Sequence, residues 1–171
     1  MKSAVSELWP DFRFHTIYEV TPAFLAKEGI EGLILDIDNT LVYYGVHQPT
    51  KENSFWIKQL QAAGVKLAFV SNGHEERVRA YNESFGFHYS FKSHKPRRGG
   101  FLEAAGTMGL APAKIAAVGD QVFTDVLGGN RAGMKTILVD PIRPEPWLPF
   151  KIKRMAERPV LKKCGYTEVD K

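Results

Sequence analysis

Residues 34–41 read Ile34-Leu35-Asp36-Ile37-Asp38-Asn39-Thr40-Leu41, an apolar run that ends in two carboxylates two positions apart. Positions i and i+2 of an extended strand project to the same side, so Asp36 and Asp38 can face one site. A carboxylate buried at a strand end is costly unless something offsets its charge. Three arrangements would serve: a metal ion, a nearby cation, or a hydrogen-bonded turn with no chemical role.

Outward from that stretch, apolar runs recur between segments of helical period. Leu33–Asp38, Lys66–Ser71, Lys114–Asp120 and Met134–Asp140 read as strands, with a weaker one at His88–Phe91. The first four are apolar almost throughout, the pattern of parallel strands covered on both faces. Between them, Trp56/Leu60/Ala63, Val78/Tyr81/Phe85 and Phe101/Ala105/Met108 form amphipathic stripes that stop at Gly64, Gly86 and Gly109. A shorter helix is expected over Asp125–Ala132 before Gly133, and another around Ala23–Glu28. Strands alternating with helices predict a Rossmann-like, three-layer α/β/α domain on a parallel sheet.

In open α/β sheets ligands bind at the carboxyl ends of the strands, and the polar residues gather there. The first strand ends in Asp36 to Thr40, the second in Ser71-Asn72-Gly73, the weak one leads to Lys95-Pro96, and the fourth ends in Gly119-Asp120 with Asp125 beyond. Each alone is ordinary turn or cap chemistry. Gathered in this order at strand ends, three carboxylates would repel without a cation, and hard oxygen donors favour Mg²⁺. Lys95 and Ser71 are groups suited to holding a phosphoryl oxygen.

That four-part order resembles the haloacid dehalogenase (HAD) superfamily over roughly residues 30–142. The resemblance narrows to the YqeG type of the HAD IIIA phosphatases on DIDNTL, on SNG with Glu75–Val78, and above all on GDQVFTDVLGGNRAGMKTILVDPI at 119–142. That group includes the mitochondrial-type phosphatidylglycerophosphate phosphatase. The resemblance implies Asp36 as the nucleophile forming an aspartyl-phosphate and Asp38 as the general acid and base. It implies Ser71, Asn72 and Lys95 around the phosphoryl group. Mg²⁺ would lie at Asp36, Asp120 and the Asp38 carbonyl, with Thr40 and Asp125 in support. Gly73 and His94 depart from the group, where a second Asn and a further lysine are common.

Only 30 residues separate Thr40 from Ser71 and 23 separate Ser71 from Lys95, too few for a cap domain in either gap. An uncapped site suits a large substrate: a phospholipid head group, a protein or a nucleic-acid end. The implied reaction is phosphomonoester hydrolysis, with phosphatidylglycerophosphate as the expected substrate. A soluble phosphate ester is an alternative, and so is a HAD scaffold that only binds RNA, ribosome or membrane.

The chain divides into an N-terminal extension at 1–30 packing on the core, the core at 30–142, and a tail at 143–171 rich in proline, aromatics and base. The net charge of +4 belongs to the tail: from residue 141 there are 8 Lys/Arg against 4 Asp/Glu, leaving 15 of each before it. Trp147, Leu148 and Phe150 stand beside Lys151, Lys153 and Arg154. Such a mixture packs aromatics on the sheet, meets an anionic bilayer, or binds RNA. The prolines argue against one long helix before Lys151. Cys164 is the only cysteine, no apolar run is long enough to cross a bilayer, and the N-terminus lacks a signal-like apolar stretch. A cytoplasmic protein, with peripheral contact at a membrane through the tail, is the expectation.

Overall fold

The computed structural model describes residues 6–164. Six parallel strands form one sheet in the order β1-β6-β5-β2-β3-β4. They are β1 (Phe12–Phe14), β2 (Gly32–Leu35), β3 (Lys66–Val70), β4 (His88–Ser90), β5 (Ile115–Gly119) and β6 (Lys135–Val139). The helices are α1 (Pro22–Glu28), α2 (Lys51–Ala62), α3 (Glu75–Asn82), α4 (Gly99–Met108), α5 (Leu127–Arg131) and α6 (Leu148–Lys163).

The strand period sorts the core onto two faces. Leu33 and Leu35 of β2 join Leu25, Trp56, Ile57, Leu60, Val78 and Tyr81 from α1, α2 and α3. Ile34, between them, turns to Phe101, Ala104, Ala105 and Met108 of α4 on the other side. Helices on both faces of a parallel sheet make the three-layer Rossmann-like fold that the apolar strand runs predict.

Helix limits follow local chemistry. The Thr50 hydroxyl accepts from Asn53 N at 3.1 Å and Asn53 Oδ1 accepts from Thr50 N at 3.2 Å, a reciprocal cap that starts α2. Gly109 ends α4 in the left-handed region at φ 63°. Pro149 falls in the first turn of α6, where no intrahelical N–H is needed, so that helix begins three residues before Lys151.

The tail, read as proline-broken, thus forms the long helix α6, and two further elements differ from the sequence reading. β1 adds an edge strand beside β6 from within the N-terminal thirty residues. The helix expected at Asp125–Ala132 is a π-helical turn, Val122–Val126, that runs into α5. Between Thr40 and Ser71 lie α2 and β3, and between Ser71 and Lys95 lie α3 and β4; neither gap holds a further domain.

Candidate active site

Strand β2 ends at Leu35, though the Asp36 amide still bonds Val118 O on β5 at 3.0 Å. The chain then turns, with Asn39 at φ 64° and its side-chain amide clasping the backbone of Arg143 from both sides at 2.9 and 3.0 Å. Around this turn the two carboxylates take different partners. Asp36 goes inward, 8% exposed, while Asp38 turns to Arg77 on α3, 3.0 Å away. Arg77 holds Asp38 through Nη2, and its Nε and Nη1 are buried without a partner.

Lys95 is the hub of the inner cluster. Its ammonium donates to Asp36 Oδ1 at 2.6 Å and to Asp125 Oδ1 at 2.7 Å, and the residue is 7% exposed. Asn72 fixes the backbone there, accepting from Lys95 N at 2.8 Å and donating to Lys95 O at 3.3 Å. The Thr40 hydroxyl sits between two acids, 3.2 Å from Asp36 Oδ2 and 3.1 Å from Asp120 Oδ1. Ser71 is buried, and its hydroxyl accepts from Gly73 N at 2.9 Å.

The π-helical turn positions Asp125. Its second carboxylate oxygen accepts from Gln121 N at 3.2 Å and from the Thr124 hydroxyl at 3.3 Å, so the wide turn folds back on its own side chain. Gly119 makes room, because a Cβ there would overlap the Asp125 carboxylate. Gly129 allows α5 onto the sheet, where a Cβ would meet Ala117 at 2.7 Å and Thr136 at 2.8 Å.

Asp36, Asp120 and Asp125 offer carboxylate oxygens within 4.8 Å of one another, all buried. Burial raises Asp36 to about 7 against the pull of Lys95, and Asp120 to about 8 against Arg154. Burial opposes the charge on Lys95, but Asp125 and then Asp36 outweigh it and hold its pKa above that of an ordinary lysine. Lys95 is therefore charged, while burial favours the protonated forms of Asp36 and Asp120, whose protons a bound cation would displace. An all-oxygen donor set fits a hard divalent cation. Asp36, Asp120 and Asp125 would hold it.

One cation was not singled out from the sequence. Arg154 of α6 donates to both the carbonyl and the carboxylate of Asp120. It also binds Glu145 at 2.9 Å and Glu157 at 3.1 Å. Glu157 in turn accepts from Val122 N at 2.8 Å, tying α6 to the π-helical turn. Glu145 accepts from the Tyr44 hydroxyl at 2.8 Å, and the Tyr44 ring lies edge-on to Trp147 at 5.0 Å. The tail is thus tied to the site through the ion pairs of Arg154. Its aromatics pack on the loop after β2, and Trp147 and Phe150 stay 51% and 37% exposed.

A parallel sheet whose strand ends converge on Asp36, Ser71, Lys95 and Asp120 defines a HAD-like hydrolase. The HAD-hydrolase-like family matches residues 93–141. "Probable phosphatase YqeG" of Bacillus subtilis is 36% identical over 89% of this chain and 88% of its own length. "Phosphatidylglycerophosphate phosphatase 1, chloroplastic/mitochondrial" of Arabidopsis thaliana is 27% identical over 77% of this chain and 41% of its own. The cobalt-bound deoxy-D-mannose-octulosonate 8-phosphate phosphatase of Haemophilus influenzae shares the fold, at a TM-score of 0.55 and 17% identity, covering 81% of this chain and 91% of that one. The chain belongs to the YqeG family of HAD-type phosphatases.

Proposed function

We propose that the protein is a Mg²⁺-dependent phosphomonoesterase with Asp36 as nucleophile, and that its substrate is phosphatidylglycerophosphate. The observation that carries the chemistry is the Lys95 ammonium, 2.6 Å from Asp36 and 2.7 Å from Asp125 in a buried acidic cluster. It holds the nucleophile's second oxygen and leaves a cation beside the incoming phosphoryl group. In the first displacement an Asp36 oxygen bonds to phosphorus as the ester P–O bond breaks. Asp38, released from Arg77, gives its proton to the departing alkoxide. In the second, water attacks the aspartyl-phosphate, Asp38 takes the water proton, and the bond from Asp36 to phosphorus breaks to yield inorganic phosphate. Mg²⁺ when bound supplies charge stabilisation at the phosphoryl oxygens. Ser71, Asn72 and Lys95 orient that group.

The substrate assignment draws on the Arabidopsis relative and on a site without a cap. A lipid substrate also goes with a protein that works in the cytoplasm and at the surface of a membrane. The test is phosphate release from phosphatidylglycerophosphate in mixed micelles with Mg²⁺, beside p-nitrophenyl phosphate. We expect lipid turnover well above the soluble ester, and a loss on the order of 10³-fold or more in Asp36→Asn. Turnover of the soluble ester alone discards the lipid; full activity in Asp36→Asn discards the nucleophile.

A further inference from the structure

Helix α6 has two opposed faces. The inner one carries Arg154 and Glu157 to the site. On the outer one Leu148, Ile152, Met155 and Pro159 follow at intervals of four, three and four residues, one line on a helix of 3.6 residues per turn. Leu148, Ile152 and Met155 are 69%, 59% and 64% exposed. Lys151, Arg158 and Lys162 run along one flank of this crest and Lys163 along the other, all exposed.

Among the described residues, the exposed charged side chains of α6 are basic. Within the described part of the tail the acids are Glu145 and Glu157, both buried and both bound by Arg154. Further apolar side chains are exposed at the end of the sheet that holds the site. Exposed Val46 and Ile142 come from the loops after β2 and β6, at the same end of the sheet as Asp36 and Asp120. An exposed apolar line on a helix flanked by basic side chains marks an interaction surface.

We propose that α6 is an interfacial helix that beds Leu148, Ile152, Met155 and Pro159 into an anionic lipid bilayer, with Lys151 and Lys162 against its head groups. The proposal deepens the lipid-phosphatase reading and rests on it for its purpose. An apolar crest between bases matches a leaflet with acyl chains below and uniform negative charge above. The crest itself is aliphatic, and the neighbouring rings of Trp147 and Phe150 pack against Tyr44 and each other, which disfavours base stacking by single-stranded RNA. The arrangement would bring a lipid head group to the strand ends without its leaving the bilayer.

The test is co-sedimentation of the full chain with vesicles of phosphatidylcholine alone, and with vesicles of three parts phosphatidylcholine to one part phosphatidylglycerol. Neither contains a phosphomonoester lipid, so binding is read without turnover. We expect at least tenfold stronger partition onto the anionic vesicles, weakened by salt. The double variants Ile152→Glu/Met155→Glu and Lys151→Glu/Lys162→Glu should each lower partition at least tenfold, with the unfolding temperature unchanged. Wild-type protein that stays in the supernatant, a crest variant that binds like wild type, or a salt-sensitive complex with RNA in place of vesicles would overturn the proposal. Vesicle binding without turnover of phosphatidylglycerophosphate would keep the surface and discard the substrate. Turnover in micelles without vesicle binding would do the reverse.

Discussion

Arg154 answers three buried acids at once: Asp120, Glu145 and Glu157. Removing one member of a buried ion network leaves charge with no partner, which costs about 3–5 kcal/mol. Arg154→Ala should therefore lower stability by about 3 kcal/mol or more by that reasoning, read as a shift of the urea midpoint. Arg154→Lys should recover only part, since an ammonium lacks the planar fork that spans two acids. A midpoint unchanged in Arg154→Ala would mean that water serves these acids as well. The sequence made Asp36, Lys95, Asp120 and Asp125 legible because each stands where an apolar strand stops. It hid Arg154, because a base in a basic tail reads as solvated. The usable signal was Glu157, an isolated acid three residues on, at helical spacing. The different partners of Asp36 and Asp38 were equally hidden, since strand alternation does not describe the turn that begins after Leu35.

Among the elements, the π-helical turn after β5 decides where Asp125 stands. Gly119 is buried against that carboxylate, so Gly119→Ala must displace it from Lys95, at the 1–3 kcal/mol typical of overpacking. We expect divalent-cation affinity to fall at least tenfold by calorimetry. Gly106→Ala on α4 is the control: a Cβ there meets nothing within 4 Å, and the helix should gain up to about 1 kcal/mol. Equal cation affinity in Gly119→Ala and wild type would show that Asp125 need not stay at its post. Helices α2, α3 and α4 were legible from their stripes and terminal glycines, whereas α6, the longest, was hidden by the prolines in and around it. The π-helical turn was not, because one widened turn leaves no period to read. β1 was missed for a related reason: Phe12-Arg13-Phe14 is too short for alternation to stand out.

The whole molecule carries a pH dependence set by the acidic cluster. Burial lifts Asp36 to about 7 and Asp120 to about 8, whereas in the unfolded chain both titrate near 3.8. Between those limits the folded state binds more protons than the unfolded one, so metal-free stability falls as pH rises from about 4 to about 8. A divalent cation offsets the charge and flattens the fall. EDTA-treated protein should unfold at a lower temperature at pH 8.0 than at pH 5.5, and Mg²⁺ should restore more at pH 8.0. Metal-free stability that climbs with pH would contradict the burial account.

The edge strand β1 has its own consequence, and it concerns time. It lies beside β6, with the Asp11 carboxylate on Thr136 N at 2.9 Å across a separation of 125 residues. Among the described residues β1 pairs with β6 alone, and closing so long a loop is slow compared with local pairing. During synthesis β1 must therefore wait for β6, and that edge of the sheet is finished only after residue 139 has left the ribosome.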